Sequence, residues 1–384
     1  MQCAYYSSGK CRSCTWLERP YAQQVADKFS RVRNLLAERV EFWQQPSLSA
    51  ESSFRNRAKL AVSRVGGRGA PLTFGLAPLG GRPQDLSDCP LYLPAIRVAL
   101  PAIKRALRAT DLRPYDPATH SGQLRHVICT ANGEGELMVR VVCRTTAGIV
   151  PIRNVAKDLR AELPSLVYLG VNLLPERVAL VEGSTEVPIF GDHLEMPVAG
   201  MGLRLGPQSF FQTNTAVAGS LYQTAADWAD FAARSLADTG NSVAQPRRAF
   251  DLYCGVGGFA LQLALHGWAV TGVEVSEDAC QAASLAARKL GVDANFVVAD
   301  ATQWARAQDF PQLVVVNPPR RGIGSGLAAL LNERATHVLY SSCNPLSLAR
   351  DLEMMPALRA TRGRIFDMFP HTPHVETLLL LSRD

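Results

Sequence analysis

The chain has 384 residues, 47% of them hydrophobic, with nine cysteines and a formal net charge of +6. This length and composition exclude a disordered chain and allow two or three domains with real cores. The apolar runs, "LVVVNPP" and the final "LLLL" among them, fall far short of the roughly 18 residues of a membrane-crossing helix, so no membrane span is expected.

The start, "MQCAYYSSGKCRSCTW", has neither the basic end nor the apolar middle of a secretory signal, which predicts a cytoplasmic protein. Structural disulfides are then not expected among the nine cysteines. Three of them, Cys3, Cys11 and Cys14, lie in this first stretch, and Cys89 follows in "DCP". Four thiolates with no histidine nearby suit zinc or an iron–sulfur cluster, and spacing alone does not decide between the two. The positive charge suits an anionic partner such as nucleic acid. The clusters "FRNRAK", "PRR" and "PPRRG", taken singly, read as solvated faces.

From about 120 to 206, "LRHVICT", "ANGEGE" and "LMVRVVCR" read as a hairpin, and "LVYLGVNLL" and "RVALVEG" as further strands. This predicts a β-rich α+β region. From Thr213 to about Leu236 an Ala-rich amphipathic helix follows, and "ADTGNSVAQPRR" after it reads as a linker. Beyond the linker, "AFDLYC", "WAVTGVEV", "NFVVAD", "QLVVVNPP", "THVLYSSC", "GRIFDMF" and "HVETLLLL" alternate with helical stretches. Such repetition predicts an α/β fold with a doubly wound parallel sheet, the last strand being a candidate to run antiparallel.

Ligands of such sheets bind beyond the carboxyl ends of the strands, where Asp251 to Gly258, Glu274, Asp300, Asn317 and Cys343 fall. In "FDLYCGVGGFALQLA" glycines let the backbone approach a ligand at a helix start. The spacing Gly255-x-Gly257-Gly258 departs from the dinucleotide pattern. Glu274 ends the next strand, where a carboxylate can accept both ribose hydroxyls, and Asp300 ends the third, within reach of the base or its amine. Asn317 precedes two prolines that stiffen its loop. The set fits S-adenosylmethionine better than NAD; the alternative is that the glycines only permit tight packing and the acids are solvated strand ends.

In "YSSCNP", Pro345 suits the first position of a helix, placing Cys343 at or just before the N-cap. A helix N-terminus favours anions and is expected to lower the thiol pKa; core filling is the alternative. In "PHTPHVETLLLL", Glu376 stands in an apolar strand, where a lone carboxylate is costly unless paired or functional. Strand alternation puts His374, Glu376 and Leu378 on one face, which leaves a solvated Glu376 as the other reading. A cysteine, a carboxylate and a methyl donor together suggest methylation at carbon 5 of uracil, where thiolate addition at carbon 6 activates carbon 5 and a base then removes its proton.

Five stretches in order, "SFFQTN" (Ser209 to Asn214), "DLYCGVGGF", "VNPPRRG", "YSSCNP" and "HTPHVE", together resemble the RNA 5-methyluridine methyltransferases, and the resemblance covers nearly the whole chain. It implies a Rossmann-like class I methyltransferase sheet with Cys343 as nucleophile and Glu376 as general base. It also implies that Gln212, Tyr253, Glu274 and Asn317 line the S-adenosylmethionine site, to which the reading of the glycine turn and of the third strand end adds Gly258 and Asp300. Many members carry Asp where this chain has Asn317; an amide can still hold a ligand by hydrogen bonds. The resemblance to the ribosomal branch implies a [4Fe–4S] cluster on Cys3, Cys11, Cys14 and Cys89, and so an N-terminal iron–sulfur segment.

The transfer-RNA branch lacks these cysteines, and another ribosomal branch carries an N-terminal barrel for which no room is expected before Cys3. That combination implies 23S ribosomal RNA as partner, with uridine 747 as the target, unstacked into the pocket against Phe210 or Phe211. The implied layout is a cluster segment over 1–95, a β-rich domain over 96–206 with RNA contacts, and the methyltransferase domain over 207–384; a monomer is the expectation, although nothing in the sequence decides the oligomeric state. Cys129, Cys143, Cys254 and Cys280 remain for packing. Three rivals stand beside this reading. The uridine could belong to another rRNA or a tRNA; the "NPP" stretch could serve nitrogen methylation, although Arg320 stands where that motif has an aromatic; or the fold could be a vestigial, cluster-bearing RNA binder.

Overall fold

The computed structural model describes residues 1–64, 66, 70–76, 83–238 and 247–383, which form two compact units. The expected linker at 237–248 lies mostly outside the described residues. The first unit comprises Met1–Cys14, Glu51–Glu195 and Gly206–Gln208. Its six-stranded sheet runs, edge to edge, Leu72–Gly75, Arg57–Arg64, Leu124–Ala131, Leu137–Cys143, Leu166–Leu173 and Thr185–Phe190. The hairpin read from "ANGEGE" joins the third and fourth of these antiparallel, and helix Ile149–Glu162 carries the chain to a parallel neighbour. Helix Pro94–Ala109 packs Ile96, Leu100, Ile103 and Leu107 on the same core as Leu60, Val127, Val139 and Val171.

"RVALVEG" is not a strand. Its approach is diverted because the Arg125 guanidinium donates to the carbonyls of Leu174, Glu176 and Val178 at 2.7, 2.6 and 3.0 Å. Carbonyls engaged by a side chain cannot join a ladder, and pairing resumes only at Thr185.

The second unit comprises Thr15–Ala50, Met196–Leu205 and Ser209–Asp384. The strands of its eight-stranded sheet are β1 (Val40–Trp43), β2 (Arg248–Leu252), β3 (Ala269–Glu274), β4 (Ala294–Val298), β5 (Leu313–Val316), β6 (His337–Ser342), β7 (Leu358–Phe366) and β8 (Glu376–Arg383). Its helices are α1 (Tyr21–Leu36), α2 (Thr215–Asp238), α3 (Gly258–Leu265), α4 (Glu277–Leu290), α5 (Ala301–Arg306), α6 (Gly324–Arg334) and α7 (Pro345–Glu353). The sheet order is β4-β3-β2-β5-β6-β8-β7-β1. Strands β4 to β6 are mutually parallel, while β8 runs antiparallel to both β6 and β7. Helices on both faces explain why β5, β6 and most of β8 are buried, near-continuous apolar runs.

The sheet order reverses at β2, whose neighbours are β3 and β5, so a crevice opens beyond its carboxyl end. The helices start and stop where local chemistry dictates. In α4, Ser276 caps the Ala279 amide, acids fill the first turn, bases the last, and Gly291 closes the helix at φ +67°.

The units cut across the consecutive segments expected from sequence. Thr15–Ala50 belongs with the eight-stranded sheet because Val32, Leu36 and Val40 enter its core and β1 pairs parallel with β7. Helix α1 is hard to read because its buried stripe, 24, 28, 32 and 36, begins with Gln24 and Lys28. Cys129, Cys143, Cys254 and Cys280 are all buried.

Candidate active site

A cavity of about 770 Å³ lies within the second unit, beyond the carboxyl ends of β2, β3, β5 and β6. It brings together Gln212, Tyr253, Gly258, Glu274, Asp300, Asn317, Cys343 and Glu376.

At the nucleotide end the chain leaves β2 through Tyr253, Gly255 and Gly257, all at positive φ (+66°, +53° and +87°). A Cβ on Gly255 would meet nothing within 4 Å, whereas one on Gly258 would lie 2.5 Å from the Tyr222 ring. Open approach and tight packing are thus divided between glycines three residues apart. Gly258→Ala is expected to destabilise the protein by about 1–3 kcal/mol through overpacking against Tyr222, measurable by urea unfolding; wild-type stability would refute that contact.

Asp251 is no solvated strand end. It is buried, its Oδ2 accepts from the Ala260 amide at 2.9 Å, and its Oδ1 has no partner among the described residues. Burial pushes its carboxyl up to about 8. Glu274 ties the turn to β3: Oε1 accepts from the amides of Val275 (2.8 Å) and Ser276 (3.1 Å), and Oε2 from that of Gly255 (3.2 Å). Asp300 is exposed at the cavity and caps α5 through the Gln303 amide. Asn317 is half-buried on the same wall. Phe211 is 4% exposed and Phe210 72% exposed, and both reach the cavity.

At the reactive end, Asn344 is the N-cap of α7: its Oδ1 accepts from the Leu346 amide at 3.2 Å, and its Nδ2 donates to the Arg320 carbonyl at 2.9 Å. Cys343 therefore sits immediately before the cap, as the Asn-Pro pair predicts. The expected lowering of its pKa does not occur. Burial, and then the Glu376 carboxylate, push the thiol upward against the Arg320 charge. A helix terminus acts over its first turn; Cys343 lies outside that turn, and Asn344 already occupies one of the free amides.

Glu376 opens β8 and is 1% exposed, which overturns the solvated reading. Ser341 Oγ donates to its Oε1 at 2.5 Å, while Oε2 has no hydrogen-bond partner among the described residues. Burial raises this carboxyl to about 7. His374 is exposed on the cavity wall, its imidazole pKa lowered by partial burial and by the charges of Arg320, Lys28 and Arg31. A thiol, a proton-accepting carboxyl poised near neutrality and a nucleoside-sized crevice thus share one space.

Sequence reasoning missed Ser341, Tyr222 and Phe369 as neighbours of these groups. The polar doublet Ser341-Ser342 at the end of apolar β6 was the available signal for the first. In the other unit, Cys3, Cys11, Cys14 and Cys89 line one small cavity with Tyr5, Tyr6 and Leu86. Among the described residues, no three His, Cys, Asp or Glu side chains form a metal-holding group.

Residues 192–384 match the family described as tRNA (Uracil-5-)-methyltransferase. The chain is 41% identical over 390 residues to the 23S rRNA (uracil(747)-C(5))-methyltransferase RlmC of Serratia proteamaculans (strain 568), with both chains covered completely. It is 40% identical over 389 residues to the protein of the same name from Escherichia coli (strain K12), again over the whole of both. Among solved structures, that of Pyrococcus abyssi tRNA (uracil-54, C5)-methyltransferase in complex with S-adenosyl-L-homocysteine superposes with a TM-score of 0.78, over 96% of this chain and 85% of that one, at 24% identity. That likeness establishes the shared fold, and together with the matched family and the full-length relatives it leads to one conclusion: the chain belongs to the tRNA (Uracil-5-)-methyltransferase family, with RlmC proteins as full-length relatives.

Proposed function

We propose that the protein methylates carbon 5 of a uridine in 23S ribosomal RNA, uridine 747 by analogy with the names of its full-length relatives. The observation that carries this reading is the meeting of Cys343 and the buried Glu376 on the cavity that also holds the glycine turn and Glu274. S-adenosylmethionine, when bound, supplies an electrophilic methyl. Its fit rests on a cavity within the usual range for ligand sites and on Gly255, open where a backbone must approach a ligand. Glu274 Oε2, which accepts only the Gly255 amide, also keeps a lone pair for a ribose hydroxyl. Gln212, Tyr253, Gly258, Asp300 and Asn317 complete that site.

The Cys343 thiolate adds to uracil carbon 6, forming a C–S bond and pushing an electron pair toward oxygen 4 as an enolate. Carbon 5 thereby becomes nucleophilic enough to take the methyl. Glu376 then accepts the carbon-5 proton, the pair left behind restores the C5–C6 double bond, and the C–S bond breaks to free Cys343. Phe210, exposed at the cavity, is the assigned stacking partner of the unstacked uridine. RNA contacts outside the pocket are assigned to the β-rich unit.

Cys3, Cys11, Cys14 and Cys89 are assigned to a [4Fe–4S] cluster. Support comes from the donor set, four thiols around one apolar cavity whose described lining includes no carboxylate or imidazole. Brown protein with about four irons, lost in Cys11→Ser, is the expected result on purification without air; a colourless protein holding one zinc would overturn it. The reaction is tested with RNA tritiated at uracil carbon 5. Tritium is expected to be released only with S-adenosylmethionine present, and methylation without tritium release would favour nitrogen as the acceptor.

A further inference from the structure

Residues 367–375, between β7 and β8, lead directly into Glu376 and bring Phe369 and His374 to the cavity. This segment has no helix or strand of its own, yet one face of α1 holds its backbone. Lys28 Nζ donates to Asp367 Oδ1 at 2.6 Å and to the Phe369 carbonyl at 3.0 Å. One turn earlier, Gln24 Oε1 accepts from the His371 amide at 2.8 Å, while its Nε2 donates to the carbonyls of Trp16 (3.1 Å) and Arg19 (3.0 Å). The Trp16 amide in turn donates to the His371 carbonyl at 3.0 Å. Arg31, one turn later, donates to the Pro373 carbonyl. Positions 24, 28 and 31 follow the i, i+4, i+7 spacing of a single helix face.

Two features separate this arrangement from ordinary core packing. His371 is fully buried at φ +64°, a backbone conformation that costs energy for a residue with a Cβ and persists only when its surroundings impose it. The Lys28–Asp367 pair is 0% and 1% exposed. Desolvating two charges generally costs as much as their attraction returns, and apolar residues of similar volume often replace such a pair without loss of stability. Covering β7 and β8 therefore does not require these polar groups. Directional bonds to the Phe369 and His371 backbones are what an apolar substitute could not provide.

We propose that Gln24 and Lys28 are positioning residues for Glu376: by fixing 367–375 they aim its free Oε2 at the carbon-5 proton of the methylated adduct. The inference rests on the assignment of Glu376 as base. Without these bonds, thiolate addition and methyl transfer proceed, because Cys343 is carried by β6 and α7, while proton removal and release lag.

The test compares full-length wild type with Gln24→Met and with the double variant Lys28→Met/Asp367→Leu, which removes the buried charges together and so leaves no unpaired carboxylate. Melting temperature, S-adenosylhomocysteine binding, kcat and KM for RNA, and the fraction of RNA in a detergent-stable covalent adduct are measured. The expected result is kcat reduced by about 10- to 100-fold, KM and S-adenosylhomocysteine affinity within about twofold, and a larger adduct fraction. The conservative variant Gln24→Glu, whose carboxyl in its protonated form still accepts from the His371 amide and donates to a carbonyl, returns adduct and rate to near wild-type values. Wild-type kcat in the double variant would overturn the proposal, as would a slow variant whose adduct fraction falls together with S-adenosylhomocysteine binding. If the wild type itself releases no tritium from carbon 5, the base assignment fails, and that outcome is distinct from either result in the variants.

Discussion

Replacing Cys343 by alanine is expected to abolish methyl transfer, by about four orders of magnitude or more, while S-adenosylhomocysteine binding stays within about twofold of wild type. The magnitude follows from the chemistry: without addition at carbon 6, carbon 5 has no adequate nucleophilicity, and no other thiol among the described residues stands ready to replace the lost one. Cys254, the other cysteine on the cavity, is buried with its thiol pushed well up by desolvation. The second half follows from the site's geography, since the glycine turn follows β2, Glu274 ends β3 and Asp300 caps α5, away from the β6–α7 junction that holds Cys343. Single-turnover methylation of a 23S rRNA fragment and calorimetric titration with S-adenosylhomocysteine measure the two halves. Methylation by Cys343→Ala at the wild-type rate would rule out the covalent route.

In the proposed mechanism Cys343 and Glu376 both act deprotonated, and both are shifted upward. The single-turnover rate of free-product release is therefore expected to rise with pH through about 7, where Glu376 loses its proton, and to continue rising as more of the thiol ionises.

Glu376→Gln is expected to trap the reaction after methyl transfer. The carboxamide still accepts from Ser341 Oγ but cannot take the carbon-5 proton, so methylated RNA remains joined to Cys343 and free product falls by about 10²- to 10⁴-fold. A detergent-stable protein–RNA band carrying the labelled methyl is the readout. Free product formed at the wild-type rate would remove Glu376 from the mechanism.

The same substitution also changes stability, with a sign that can be stated in advance. In the folded protein the carboxyl titrates at about 7, against an ordinary value of 4.5, so the folded state binds more protons than the unfolded state between these limits. The contribution of Glu376 to stability therefore declines as pH rises from about 4.5 to about 7 and stays at the lower level above. Glutamine removes that loss. The variant should exceed wild type by about 1–3 kcal/mol at pH 8 and lose the advantage near pH 4, as read by urea unfolding at both pH values. An advantage of equal size at both would contradict a buried acid.

Much of the site was legible because a parallel sheet gathers its loops at one edge, so that residues ending successive strands meet even when they are far apart in sequence. Glu274, Asp300, Asn317 and Cys343 each end a strand-like run, and all four reach one cavity. The N-terminal region was less legible. The buried stripe of α1 contains Gln24 and Lys28, which no apolar periodicity can reveal, and the loss of "RVALVEG" as a strand depends on Arg125, some fifty residues upstream.

The amino-acid sequence by itself determined the alternation of strands and helices, the place of Cys343 immediately before an Asn-Pro cap, and the motif order that marks the family. These are properties of local spacing and of residue type, and they survive without knowledge of the partners. Only the tertiary structure decided that Gly258 packs on Tyr222 while Gly255 stays open, that Glu376 is buried with one free oxygen, and that Cys343 is raised rather than lowered. It alone joined Lys28 to Asp367 across more than three hundred residues. The reason is physical: a pKa, an unpaired oxygen or a held backbone carbonyl is set by the atoms that fold around it, and desolvation by distant parts of the chain outweighs what the neighbouring residues would do alone.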